Sequence, residues 1–206
     1  MKNLFAIMLL FFCTYLSAQE KSLEFGAKVG LNISSISNYS DNNDEARKSL
    51  LIGGFLEMPI NEKFSFAPEL LYSSQGENSK FEILEGKFKS ITQLDYIILP
   101  LIVKYYLIDG LAIEAGPQIG FLVNADQILE SDGSFTGDFE TIADENFNEN
   151  FSNFDAGLDF GASYKLPFNL IVQARYSLGI VDINNSNLNN NKIRNNVLQL
   201  AVGYSF

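Results

Sequence analysis

The strongest constraint on the fold is an alternation of apolar and polar residues with a period of two, which returns in several stretches of the chain. The apolar residues of the first stretch are Leu23, Phe25, Ala27, Val29, Leu31 and Ile33. The polar or small residues between them are Glu24, Gly26, Lys28, Gly30, Asn32 and Ser34. Successive side chains of a β-strand point to opposite faces of the sheet, so each stretch predicts a strand with one apolar face.

The stretches predicted as strands are 23–34, 49–58, 64–75, 91–106, 111–123, 154–164, 170–180 and 198–206. Most are longer than the usual strand of about five or six residues and match a tilted membrane crossing. Short links at 59–63, 107–110 and 165–169 alternate with long polar links at 37–48, 77–90, 124–151 and 184–193. The pattern predicts an all-β fold, an eight-stranded antiparallel up-and-down transmembrane β-barrel with short periplasmic turns and long extracellular loops.

The composition of the polar face favours a membrane barrel over a soluble one. The chain is 47% hydrophobic and only 19% charged. A soluble barrel would turn its polar face to water, and that face should be rich in Lys, Glu and Asp. Here it is rich in Gly, Ser, Asn and Gln, which fit inside a narrow barrel whose apolar face meets lipid. A secreted soluble barrel that binds an apolar ligand is the alternative, and recovery in the soluble periplasmic fraction would establish it.

The N-terminus has the form of a secretory signal peptide. Lys2 precedes an apolar run over 4–16, and Ser17 and Ala18 follow before the chain turns polar. A membrane-anchoring helix is the alternative, but the run is shorter than the roughly 20 residues needed to span a bilayer. We therefore predict a signal peptide over 1–18, a barrel domain over 19–206 and a location in the cell outer membrane.

The composition excludes much catalytic chemistry. The chain has no histidine, and its one cysteine, Cys13, lies in the predicted signal peptide. Ser-His-Asp and Cys-His relays and histidine-bearing metal sites are therefore excluded. The formal net charge of −11 argues against a nucleic acid partner. We expect no enzyme activity, no cofactor and no metal ion.

Charged residues on the polar parity are candidates for the barrel interior. They are Lys28, Glu69, Lys104, Glu114, Asp159 and Arg175, and Glu57 shares their parity. Three cations against three carboxylates predict a balanced ion-pair network that fills the lumen in a structural role. The alternative is a carboxylate dyad of Glu69 and Glu114 in acid–base hydrolysis, which would need a substrate cleft.

The last stretch ends on an aromatic residue after unbroken alternation. Its apolar residues include Leu200, Val202, Tyr204 and Phe206. We interpret them as the C-terminal signal by which the barrel-assembly machinery recognises its clients. A strand that simply ends the domain is the alternative.

Other features of the sequence concern loops and strand irregularities. The 124–151 link carries eight acidic residues and no Lys or Arg, which is typical of a solvated surface. A sharper hypothesis is that it binds divalent cations and so bridges to anionic lipopolysaccharide. Pro68, Pro100 and Pro117 fall inside predicted strands, so we expect a bulge or kink at each.

Several strings of residues resemble the PorT-like outer-membrane β-barrel family of Gram-negative bacteria. They are Gly26-Ala27-Lys28-Val29-Gly30-Leu31-Asn32, Pro68-Glu69-Leu70-Leu71-Tyr72-Ser73-Ser74-Gln75-Gly76, Leu99-Pro100-Leu101 with Lys104-Tyr105, Glu114-Ala115-Gly116-Pro117-Gln118-Ile119-Gly120, and Ala174-Arg175-Tyr176-Ser177-Leu178-Gly179. The resemblance covers essentially all of 19–206 and implies an eight-stranded barrel. The founding member is implicated in secretion by the type IX system, but most relatives have no assigned activity, so no catalytic or ligand residue is carried over.

Together these observations predict a monomeric barrel with a side-chain-filled lumen and a structural or interaction role through its loops or wall. The resemblance implies a link to protein secretion, as a component or client of a secretion apparatus. Expected partners are outer-membrane lipid, lipopolysaccharide, the barrel-assembly machinery during insertion and secretion components. A small passive porin-like channel is the alternative, and an outer-membrane enzyme is a further one.

Overall fold

The computed structural model describes residues 23–37, 44–83, 86–131, 150–185 and 192–206, and the predicted signal peptide lies outside them. The strands are β1 (Glu24–Ser37), β2 (Asp44–Pro59), β3 (Phe64–Ile83), β4 (Gly86–Ile108), β5 (Leu111–Ser131), β6 (Phe154–Lys165), β7 (Leu170–Gly179) and β8 (Arg194–Ser205). Each pairs antiparallel with the next, and β1 pairs with β8 to close the ring. The predicted eight-stranded up-and-down barrel is confirmed. Among these residues no helix is long and apolar enough to cross a membrane.

The period-two alternation sets which side chains face outward. On β1, Leu31 is 53% exposed while its neighbour Asn32 is fully buried. On β3 the outward apolar side chains run from Phe64 to Tyr72, a span of eight residue steps. At about 3.4 Å per residue and a tilt of about 40°, this span is about 20 Å high, close to the apolar band of a membrane barrel.

The two ends of the barrel differ in their connections. At the short-turn end, residues 60–63, 109–110 and 166–169 link the strands. In the first of these turns the Asn61 side-chain oxygen accepts hydrogen bonds from the backbone amides of Lys63 and Phe64, both at 2.9 Å. Gly110 has a φ of 82°, which a residue with a side chain rarely adopts. The opposite, long-loop end carries the longer connections.

Residues 77–90 were expected to be a long polar loop, and this expectation is wrong. The pairing of β3 with β4 continues from Gly76↔Gln93 to Ile83↔Gly86, and β5 follows β4 as far as Phe88↔Ser131. Three strands therefore extend beyond the apolar band. Neither face of this extension meets lipid, so the alternation that marks the other strands is lost.

The expected bulges at the prolines are also not found. The register is the same on both sides of Pro68, Pro100 and Pro117, although some pairs beside them are missing. A proline removes one hydrogen-bond donor from the ladder without requiring an extra residue. The register shifts lie elsewhere, including one between Ala46 and Leu51 of β2.

A cluster of buried apolar side chains fills the barrel toward the long-loop end. We call the following residues the apolar plug: Ile36, Leu94, Tyr96, Ala125, Phe151, Ile183 and Ile193. Phe151, Ile183 and Ile193 come from connecting segments, yet each is at most 6% exposed. Backbone hydrogen bonds join these segments, from Ser152 to Ile183 and from Ile183 to Ile193. The loops therefore fold into the mouth of the barrel.

Candidate functional site

The middle of the lumen is organised around Arg175 of β7. Its Nη1 and Nη2 donate to the two carboxylate oxygens of Glu69 at 2.8 and 2.9 Å, and its Nε donates to Glu114 at 3.0 Å. Glu69 lies on β3, which is diametrically opposite β7 in a ring of eight strands. The Arg175 side chain therefore reaches across the lumen. Its guanidinium binds the Glu69 carboxylate in the bidentate geometry that makes Arg–carboxylate pairs strong.

Lys28 and Gln173 complete this layer. The Lys28 ammonium donates to Glu69 at 2.6 Å and to the Gln173 side-chain oxygen at 2.8 Å. The Gln173 amide donates in turn to Glu114 at 2.7 Å. Strands β1, β3, β5 and β7 are thus tied together by side chains alone, so this part of the lumen is filled.

We call Lys28, Glu69, Glu114, Asp159 and Arg175 the central cluster. The sequence predicts Lys104 to belong to the same network, but the structure places it elsewhere. Its ammonium pairs with Glu57 at 2.7 Å, and the Tyr106 hydroxyl donates to the same carboxylate. This pair forms a separate layer. The central cluster consequently has two cations and three carboxylates, and the predicted balance of charge is wrong. Asp159 is the carboxylate left over, since its nearest cationic atom is Arg175 Nη1 at 3.8 Å.

The alternative of a catalytic dyad does not fit this geometry. Glu69 and Glu114 are bound to the same guanidinium, and their side chains are 3% and 0% exposed. A general acid or base must reach a proton of the substrate. These two carboxylates face a filled interior and are already neutralised by Arg175 and Lys28.

The short-turn end of the lumen holds a further cross-link that the sequence did not reveal. Lys165 of β6 donates to Glu24 of β1 at 2.6 Å, and the Ser205 hydroxyl donates to the same carboxylate at 2.8 Å. Both members of the ion pair are about a third exposed or less, so water still reaches them. Their spacing in the sequence gave no signal, because β1 and β6 are not neighbours.

A polar layer lies between the central cluster and the apolar plug. The Asn32 amide donates to the Ser73 hydroxyl at 2.9 Å and to the Ser74 carbonyl at 2.7 Å. The Gln75 amide donates to Ser73 at 2.9 Å, and its side-chain oxygen accepts from Asn195. These side chains fill the lumen between β1, β3 and β8.

Asp182 holds the loop residues of the apolar plug in place. Its Oδ1 accepts hydrogen bonds from the backbone amides of Ile193 at 2.9 Å and Asn184 at 3.1 Å. Together they lower the pKa of Asp182 below its ordinary value, the Ile193 amide more than the Asn184 amide. The ionised carboxylate therefore stabilises the loop conformation in which Ile183 and Ile193 are buried at the mouth of the barrel.

A group of hydrogen-bonded polar side chains lies at the base of the three-strand extension. Just beyond Tyr72, Arg47 donates to the Ser74 hydroxyl at 3.0 Å and to the Gln93 side-chain oxygen at 2.8 Å. The Gln93 amide donates to Asp95 at 2.9 Å. This chain of hydrogen bonds crosses β2, β3 and β4, and it marks the level at which the apolar band ends.

Of the apolar residues predicted as a C-terminal signal, Leu200, Val202 and Tyr204 lie on β8 and Phe206 directly follows it, and all four face outward. Leu200, Val202, Tyr204 and Phe206 are 44–66% exposed. Phe206 stacks on Phe25 of β1 with ring centroids 5.5 Å apart, and its backbone amide donates to the Phe25 carbonyl at 2.8 Å. These contacts lie at the seam that closes the barrel.

The acidic link lies mostly outside the described residues, which exclude 132–149. Asp126 and Glu130 belong to β5. In the described part of the chain, no group of three or more His, Cys, Asp or Glu side chains could hold a metal ion.

A closed ring of eight antiparallel strands with an apolar outer band and a polar interior defines the class of β-barrel membrane proteins. A family model described as the outer membrane protein beta-barrel domain matches residues 17–185. The chain therefore belongs to the outer membrane protein beta-barrel domain family and is an outer-membrane protein. Its short turns are periplasmic and its long connections extracellular.

Solved structures of outer-membrane proteins resemble the fold at low sequence identity. The attachment invasion locus protein Ail of Yersinia pestis is 11% identical with a TM-score of 0.49, covering 90% of this chain and 100% of its own. Neisserial surface protein A is 15% identical with a TM-score of 0.43, covering 89% and 97%. OprG of Pseudomonas aeruginosa is 14% identical with a TM-score of 0.39, covering 89% and 94%. No curated protein sequence matches the chain.

Proposed function

We propose that this protein is a closed outer-membrane barrel that acts through its extracellular strands and barrel wall and does not conduct solutes. The observation that carries the proposal is the brace from Arg175 to Glu69, which spans the lumen between opposite strands. The Lys104–Glu57 and Lys165–Glu24 pairs lie on the periplasmic side of it. The apolar plug lies on the extracellular side. A solute would have to break several buried interactions to pass.

The extended strands are the part best placed to meet a partner. Residues 74–83 of β3 and 86–95 of β4 pair above the apolar band, and β5 supports them as a third strand. Paired strands present side chains in a fixed arrangement, which lowers the entropy lost on binding. We take this wall to be the interaction surface, with lipopolysaccharide around its base.

The further expectations of the sequence belong to the same proposal. The protein is a monomer and is not an enzyme, the signal peptide over 1–18 exports it, and the barrel-assembly machinery inserts it by reading the residues up to Phe206. The ion pairs of the lumen have a structural role. A link to a secretion apparatus is supported only by the resemblance to PorT-like proteins.

The test shortens the wall without touching the barrel. Residues 79–90 are replaced by Asn-Gly, a sequence that favours two-residue hairpins, between the paired residues Asn78 and Ile91. We expect this variant to fold and to keep its heat-modifiable migration, but to lose the cross-linked adducts of the intact protein in cells. The matched control changes only Leu84 and Glu85 to Asn and Gly, so the wall keeps its length.

Two outcomes would refute parts of the proposal. If the shortened variant forms the same adducts as the intact protein, the wall is not the interaction surface. If deletion of the gene leaves the proteins in the culture supernatant unchanged by quantitative mass spectrometry, the link to secretion is wrong.

A further inference from the structure

Asp159 of β6 is a buried carboxylate whose only ion-pair contact among the described residues is a long one, 3.8 Å, to an arginine that already binds two other carboxylates. The guanidinium of Arg175 is occupied by Glu69 and Glu114, and the ammonium of Lys28 by Glu69 and Gln173. Asp159 is fully buried, and neither of its carboxylate oxygens has a hydrogen-bond partner. The two cations and three carboxylates of the central cluster leave one negative charge uncompensated. A buried charge of this kind must be neutralised.

Further unpaired polar atoms lie on the neighbouring strands, at register positions opposite or diagonal to this carboxylate. Ser177 lies directly opposite Asp159 on β7, and its hydroxyl makes no hydrogen bond of normal distance and angle. Gln118 of β5 lies on the diagonal, since it faces Gly157, two residues from Asp159. Gln199 of β8 lies diagonally across from Ser177, because it pairs with Arg175, which is two residues from Ser177 on β7. Diagonal neighbours on one face are within reach of long side chains.

Both glutamine side chains are also incompletely bonded. The side-chain oxygen of Gln118 and both amide atoms of Gln199 have no partner, although the residues are only 7% and 0% exposed. Buried polar groups are nearly always satisfied by protein, water or an ion. Four neighbouring strands, β5 to β8, thus carry buried and unpaired polar atoms on their inner faces, at register positions next to the uncompensated charge.

We propose that Asp159, Ser177, Gln118 and Gln199 bind one alkali-metal cation, Na⁺ or K⁺, inside the lumen. The donor set consists of oxygens alone, which suits a hard cation. One positive charge cancels the excess of one carboxylate. A divalent ion would call for more acidic ligands, and the described residues contain no group of three His, Cys, Asp or Glu side chains that could hold one. The central cluster with its cation would then be neutral.

The test compares stability in different salts. The full protein is refolded into detergent micelles in NaCl, in KCl or in N-methyl-D-glucamine chloride at equal ionic strength, and urea unfolding is followed on heat-modifiability gels. A cation at about ten times its dissociation constant lowers the unfolding equilibrium constant about elevenfold. We expect that decrease in NaCl or KCl and not with the bulky organic cation.

Variants assign the effect to the site. Asp159→Asn should unfold alike in all three salts, while Ser163→Ala, an inward and buried change on the same strand, should respond as the wild type does. Ser177→Ala keeps the negative charge of Asp159 and removes one oxygen ligand of the cation, so it should reduce the stabilisation by NaCl or KCl. This variant serves as the test if Asp159→Asn does not fold. Equal stability of the wild type in all three salts, or an undiminished response in Asp159→Asn, would overturn the proposal.

A direct measurement complements these assays. Crystals of protein refolded in RbCl should show an anomalous difference peak at the Asp159 carboxylate. Ordered water alone at this position, or a carboxylate neutralised by a proton without any peak, would overturn the proposal.

Discussion

Replacing Arg175 by Met tests how the lumen is held together. The side chain is fully buried and makes three hydrogen bonds to Glu69 and Glu114. Met fills a similar volume but leaves three buried carboxylates against Lys28 alone. Removing one partner of a buried ion pair costs about 3–5 kcal/mol, which is a decrease of roughly 10²- to 10³-fold or more in the folding equilibrium constant.

The assay is urea unfolding of protein folded into detergent micelles, read as the fraction that keeps heat-modifiable migration. With a slope of about 2 kcal/mol per M, the midpoint of Arg175→Met should fall by about 1.5–2.5 M. The triple variant Arg175→Met, Glu69→Gln, Glu114→Gln should recover much of this loss, because it no longer buries the unpaired charges. Lys165→Met, at the more exposed pair with Glu24, should cost at most about 1 kcal/mol. A midpoint of Arg175→Met within about 0.3 M of the wild type would refute the reasoning.

Three further predictions follow from contacts at the two ends and the wall of the barrel. The folded-state pKa of Asp182 lies below its unfolded value, so its contribution to stability is present above the unfolded pKa and is lost as the pH falls through the folded one. The protection factor of the Ile193 amide in hydrogen exchange, corrected for the intrinsic rate at each pH, should therefore fall at acid pH, and Asp182→Ala should show low protection at every pH. Deleting Phe206 removes its stacking on Phe25 and one backbone hydrogen bond at the seam, so the yield of inserted protein should fall; normal assembly of that variant would contradict the account. Gly116→Val would place a Cβ 2.1 Å from a carbonyl oxygen of the neighbouring strand, so the variant should fold poorly in micelles, whereas wild-type yield would show that the wall adapts.

The fold could be predicted because the bilayer imposes a pattern on the sequence. Alternate residues of a strand meet lipid or the lumen, so Leu31 and Asn32 differ sharply in polarity. Beyond the apolar band the outer face of a strand no longer meets lipid, so it no longer requires apolar residues and the alternation ends. Residues 77–90 therefore read as a loop, although 77–83 and 86–90 continue β3 and β4.

The site could be predicted only in part, because parity shows which residues face inward but not which residues meet. The alternation along the strands predicts that Lys28, Glu69 and Arg175 face inward and form one network, and the structure brings them together. Lys104 has the same parity yet pairs with Glu57, since contacts across the lumen depend on how the strands are staggered around the ring.

The loop side chains of the apolar plug could not be predicted for a different reason. Phe151 ends the acidic 124–151 link and Ile193 ends the asparagine-rich 184–193 link, so both read as parts of solvated loops. Their burial depends on backbone hydrogen bonds between distant segments, such as that from Ser152 to Ile183. A local pattern in the sequence does not record such contacts.

A closed lumen should conduct no ions, and single-channel recording tests this most directly. The refolded wild-type protein is reconstituted into planar lipid bilayers, with insertion verified by protease protection in matched liposomes. We predict a current that does not exceed that of the protein-free bilayer across the voltage range. Steady, ohmic conductance steps from the wild-type protein would contradict the account and favour a small passive channel.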